Sequence, residues 1–185
     1  MLDGGGDLDG EPAGNLITGS AAEGFRVSWF PDMGTACMIA HGGHVRAIGW
    51  LSDQHPFPTG DTPPEFLARL KEFCRRWFDG LEPLAWGGFM GPHQCELCWR
   101  SAASGNIGVP AGDILFAAPE MVAHYVEAHR YVPPPEFVAA VLSAPLPGTP
   151  EYAEAVAAFR EVKMRQLAEW RAELDRRSQT TTDLA

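Results

Sequence analysis

Cys95-Glu96-Leu97-Cys98 sets two thiols two residues apart, and His124-Tyr125-Val126-Glu127-Ala128-His129 sets two imidazoles four apart, in the pattern C-x2-C-x25-H-x4-H. Sulfur and imidazole nitrogen are preferred zinc donors, and both spacings fall within the windows of paired zinc ligands. Four such ligands would complete a tetrahedron and leave no place for water, as in a structural zinc site. The expectation is one zinc per chain held by Cys95, Cys98, His124 and His129, with iron less well suited to the donors. His93, two residues before Cys95, is the rival for the place of a later histidine.

The same residues admit two further chemistries. If only three of them bind the metal and water takes the fourth position, Glu96, Glu127 or His93 would serve as general base in a zinc-dependent hydrolase or transferase. If no metal binds, Cys95 and Cys98 would act as a dithiol oxidoreductase pair. A thioredoxin-like motif, however, opens a helix inside a βαβ unit, whereas Ser101 to Gly105 reads as loop. The leading reading is a non-enzymatic domain, closed by zinc, that binds a protein partner.

Other constellations are weaker. His41-Gly42-Gly43-His44 would share a metal only if the turn folded the two rings together. Asp53 and His55 suggest an acid/base pair, but their Pro- and Gly-punctuated segment reads better as a turn. Asp7-Leu8-Asp9-Gly10 lacks the remaining oxygens and the closing Glu of a calcium loop. No Ser-His-Asp order, phosphate-binding glycine loop or dinucleotide fingerprint is present. Cys37 and Cys74 sit among apolar residues and read as core.

The elements that must position the ligands follow from pattern. Phe25 to Phe30, Ala36 to Ala40 and His44 to Leu51 read as a three-stranded antiparallel meander. Thr62-Pro63-Pro64-Glu65 resembles a capping box opening a helix whose apolar face holds Phe66, Leu67, Leu70, Phe73, Cys74, Trp77 and Phe78, with Gly80 as its stop. That helix should cover the meander and leave Arg69, Lys71, Glu72, Arg75 and Arg76 in water. The Gly- and aromatic-rich stretch Trp86 to Pro92 should pack beneath the metal site.

Between the ligand pairs, Asn106 to Val109 and Asp113 to Ala117 form a hairpin around Pro110-Ala111-Gly112, and Pro119-Glu120 starts a helix. The result is a zinc knuckle, hairpin and helix, an enlarged ββα arrangement. Residues five apart on an ideal helix stand about 140° apart around its axis, so the end of the His124–His129 helix must distort. Pro133-Pro134-Pro135 forces its termination nearby. Pro135 to Leu142 reads as a short apolar helix, and Thr149-Pro150-Glu151 caps a long helix to about Arg177 on which Tyr152, Val156 and Phe159 dock. Beyond Lys163, Leu167, Trp170 and Leu174 leave a narrow stripe suited to pairing with another chain.

The fold class is thus α+β. Residues 1–20 form an acidic, Gly-rich disordered arm, residues 21–145 one metal-binding domain, residues 146–177 the long C-terminal helix and residues 178–185 a polar tail. The motifs Val45-Arg46-Ala47-Ile48-Gly49-Trp50-Leu51, His55-Pro56-Phe57-Pro58-Thr59-Gly60, His93-Gln94-Cys95-Glu96-Leu97-Cys98 and Asn106-Ile107-Gly108-Val109-Pro110 come in that order. They continue with Ala118-Pro119-Glu120, His124 to His129 and Tyr131-Val132-Pro133-Pro134. Together they resemble an uncharacterised family of small bacterial proteins over about residues 45–142. The resemblance implies a small metal-binding domain.

The chain of 185 residues has a net charge of −10, and its first sixty-five residues carry nine of the 24 acids but only Arg26 and Arg46 among the 14 basic residues. The remainder is near balance, so no basic footprint for nucleic acid or anionic lipid exists, and neither is expected as a partner. No run of apolar residues is long enough to cross a membrane, and the start lacks the basic and apolar regions of a secretory signal. The cytoplasm is the expected compartment. The expected partner is an unidentified protein, with a homodimer through residues 150–177 as one form of it.

Overall fold

The computed structural model describes residues 29–76 and 92–182, with side chains to Arg177. The N-terminal arm, the start of the first expected strand, Trp77, Phe78, Gly80, the stretch 86–91 and the last three residues lie outside the described residues.

The fold is α+β, built around one hairpin. Strands β4 (Asn106–Ala111) and β5 (Ile114–Pro119) pair antiparallel with Val109 opposite Phe116, and Gly112 turns the corner at φ 58°. β4 runs two residues past its expected end at Val109, and β5 starts one residue later and ends two residues later than the expected Asp113 to Ala117. β5 reads Ile-Leu-Phe-Ala-Ala-Pro and is buried on both faces except at its first residue, as an unalternating apolar run requires.

That continuous run overturns the expected meander. Strand β1 (Val45–Ala47) pairs parallel to β5, with Val45 opposite Leu115, so the sheet order is β1-β5-β4. Residues 36–41 make only an isolated bridge, Ala36 to His41. A parallel pair needs a long crossover, and the segment that supplies it carries helix α1 (Pro64–Arg75), strands β2 (His93–Gln94) and β3 (Ala102–Ala103), and both cysteines of the knuckle. Val45 and Ala47, both fully buried, gain more against central β5 than they would in a solvent-facing ribbon.

Helix α1 presents Phe66, Leu70, Phe73 and Cys74 inward as its periodicity demands. It starts one residue later than the capping box implies, because Pro63 is extended (ψ 134°) and itself precedes the helix, leaving Thr62 outside the cap. It also ends earlier, at Arg75, and it packs on β4, helix α2 (Val122–His129) and helix α3 (Pro135–Ser143) rather than on a meander. Arg69, expected in water, instead donates from Nε to the Val141 carbonyl at 2.8 Å and from Nη2 to the Ala144 carbonyl at 2.6 Å. It therefore satisfies the open carbonyls at the end of α3. Arg69→Met is expected to cost about 1.5–3 kcal/mol, the range for hydrogen bonds from a charged group. A urea midpoint indistinguishable from the parent protein would refute that role.

The expected single C-terminal helix is two, α4 (Pro150–Ala155) and α5 (Ala157–Thr182), joined at Val156. Thr149 caps α4 by accepting from the Tyr152 N–H. Val156 and Phe159 bury against Leu115, which draws the chain inward at the joint, and α5 then runs past Arg177, the expected end. No helix among the described residues is long and apolar enough to cross a membrane.

Candidate metal centre

The knuckle is the tip of the β2–β3 ribbon. His93 pairs with Ala103 and Gln94 with Ala102, the Cys95 N–H donates to the Ser101 carbonyl at 2.8 Å, and the Trp99 N–H closes the turn on the Cys95 carbonyl at 2.8 Å. Trp99 takes φ 59° to reverse the chain, a conformation that bulky residues seldom adopt, and its ring is 64% exposed. The backbone N–H groups of Leu97 and Cys98 point at the buried Cys95 sulfur and favour its thiolate, while burial, the stronger influence, pushes its pKa up. Such a thiol keeps its proton until a metal displaces it.

The imidazoles come from α2, and the end of that helix removes the 140° difficulty. The Arg130 N–H donates to the Tyr125 carbonyl, five residues back instead of four, and the Tyr131 N–H reaches the same carbonyl at 3.1 Å. This widened last turn brings residues five apart toward one side. Arg130, at φ 55° and ψ 29°, then ends the helix. The segment after it is strapped by Pro58 and Gly60, whose backbones pair with Val132 and Arg130 at 2.9 Å each.

His124 and His129 thereby place their Nε2 atoms 3.3 Å apart. Cys95 Sγ lies 3.3 Å from His129 Nε2, and Cys98 Sγ lies 3.4 Å from His124 Nε2. All four donor atoms fall within 4.8 Å of one another, and they are the group of metal-type ligands found among the described residues. A tetrahedron with ordinary Zn–N and Zn–S bond lengths has N···N of about 3.3 Å and S···N of about 3.6 Å, so these three separations fit such an ion to within about 0.3 Å. Burial lowers the pKa of both imidazoles, and His129 adds to the effect at His124. The shift favours the neutral form that binds metal.

Several of the remaining sequence candidates go elsewhere. His93 is buried and lies 3.3 Å from Tyr125 Oη, outside the ligand group. Glu127 forms an exposed ion pair with Lys71 at 2.6 Å. His44 stacks on Phe159, and the His41 carbonyl accepts from Gln166. Asp53 is exposed, and His55 stacks on Trp29 with ring centroids 4.0 Å apart. Ser52, not Asp53, makes the local turn by accepting from the Gln54 N–H. Cys37 and Cys74 are buried, and burial pushes the Cys74 thiol up to about 12.

Sequence reading missed Asp32. Its carboxylate accepts from the Gly49 N–H at 2.8 Å and from the Tyr131 hydroxyl at 2.7 Å, tying the chain after α2 to the segment before Trp50. Burial and the facing carboxylate push the Tyr131 phenol well above its ordinary range. Neither residue carries a local signal, since the contact joins positions far apart in sequence.

Fold and site define an α+β domain whose ribbon tip and helix end bring two cysteines and two histidines into a group that can hold a metal ion. A family model for a domain of unknown function, DUF7919, matches residues 28–142, and the chain belongs to that family. No curated protein and no solved structure matches it.

Proposed function

We propose that this protein is a non-enzymatic zinc-binding domain that serves as a protein-interaction module, with one Zn2+ held by Cys95, Cys98, His124 and His129. The observation that carries the reading is the convergence of the four donor atoms within 4.8 Å from two separate elements. Two sulfurs and two imidazole nitrogens in a closed set match a structural zinc and leave no coordination position for substrate or water. Two of the candidate bases give the hydrolase alternative no support, since Glu127 is paired with Lys71 and His93 with Tyr125.

A protein partner is supported by exposed aromatic surface. Trp99 on the knuckle is 64% exposed and Trp170 on α5 is 58% exposed, the latter beside Leu167 and Leu174. Residues 150–177 could pair with a second copy of the chain, and sedimentation at rising concentration reads that directly.

Elemental analysis of the purified protein is expected to return one zinc per chain. Chelation should then loosen the fold, seen as lost ellipticity and a lower melting temperature. Zinc that leaves with the melting temperature unchanged would argue for an open, catalytic site. A metal-free chain in which Cys95 and Cys98 readily form a disulfide would favour the dithiol reading.

A further inference from the structure

Two elements carry the ligands, and a polar contact between non-ligands joins them. His93 precedes Cys95 by two residues along the ribbon, so their side chains leave the same face. Tyr125 follows His124 directly and precedes His129 by four residues, so it shares a helix face with His129. Its ring lies 6.0 Å from His124 and 6.2 Å from His129 between centroids. Tyr125 is 1% exposed and His93 8%, and Tyr125 Oη stands 3.3 Å from His93 Nε2. Neither atom belongs to the donor group.

We infer that the His93–Tyr125 pair is a clasp that locks the cysteine ribbon against α2, presetting the convergence of the four ligands and so tightening metal binding without touching the metal. The clasp rests on the zinc reading and deepens it: these are positioning residues. If the phenol loses its partner, a buried polar atom is left unsatisfied at the seam between the two elements. The ribbon and helix then need not meet in the ligating arrangement, and the metal must supply the ordering that the clasp supplied. Outer partners of metal ligands typically change affinity by about 10- to 100-fold.

Cobalt(II) titrated into the reduced, metal-free full chain provides the test, because its thiolate charge-transfer and visible bands report the ligand set as well as the affinity. Tyr125→Phe keeps the ring and removes only the hydroxyl. It and His93→Leu are each expected to weaken cobalt binding by about 10-fold or more, and the double variant no further than either single one. His93→Gln, whose amide can still bond the phenol, should recover most of the loss, and the bands should keep their positions throughout.

Affinities within twofold of the parent would overturn the clasp. So would losses that multiply in the double variant, which would make the two residues independent, and so would a band shift in His93→Leu, which would make His93 a ligand. A parent protein that develops no cobalt bands at all would instead defeat the zinc reading itself, and the clasp with it.

Discussion

Cys98→Ser is expected to abolish stoichiometric zinc binding and to lower the melting temperature in zinc-replete buffer by about 8–16 °C. Serine preserves the size of the side chain but replaces the soft sulfur donor, and three ligands from a site built for four hold the ion poorly. An ion that binds only the folded chain stabilises it by mass action, by about 4 kcal/mol when free metal exceeds its dissociation constant 1,000-fold. For a chain of this length each kcal/mol moves the melting temperature by about 2–4 °C. Cys37→Ala is the control, since Cys37 lies in a separate apolar cluster with Val45 and Trp50 and its loss should leave zinc content intact. A Cys98→Ser protein with full zinc and unchanged melting would show that the ligand assignment is wrong.

Gly49→Ala should be nearly as damaging, although it lies outside the ligand set. Gly49 sits at φ 66°, in the left-handed region that costs a residue with a Cβ about 1–2 kcal/mol. That Cβ would stand 2.7 Å from Val122 Cγ2. Val122 is fully buried at the start of α2, and a β-branched side chain in a helix has essentially one rotamer, so it cannot swing away. Overpacking adds about 1–3 kcal/mol, for a combined loss of about 2–5 kcal/mol and roughly 10 °C in melting temperature. Because relief requires α2 to shift, and α2 carries both histidines, zinc affinity should fall as well. A Gly49→Ala protein that melts within 2 °C of the parent would contradict this account.

Much of the site was legible because its signals are local. The two ligand pairs are short spacings of rare donor types, and the turn at Gly112 and the apolar periodicity of α1 are read within a few residues. The Thr62 cap was misjudged for an equally local reason: two consecutive prolines leave the start ambiguous by one residue, and the extended Pro63 resolves it. The meander failed on a different ground. Short β-like runs state that strands exist but not which neighbour each will choose, and β1 chose a partner some seventy residues away, Val45 beside Leu115.

By itself, then, the sequence determined the α+β class, the cysteine and histidine pairs as the candidate donors, the hairpin and the buried face of α1, because each depends on residue type and spacing over about one turn or one strand. Only the tertiary structure decided the parallel seat of β1, the docking of Arg69 on α3, the Asp32 link between Gly49 and Tyr131, and the pairing of His93 with Tyr125 outside the Cys95, Cys98, His124 and His129 group. Each of these joins distant segments, where the choice of partner is made by burial and by the need to satisfy every enclosed polar group. The widened last turn of α2 belongs with them. Helical spacing alone sets His124 and His129 apart, and the way the chain leaves that helix, strapped at Arg130 and Val132, brings them together.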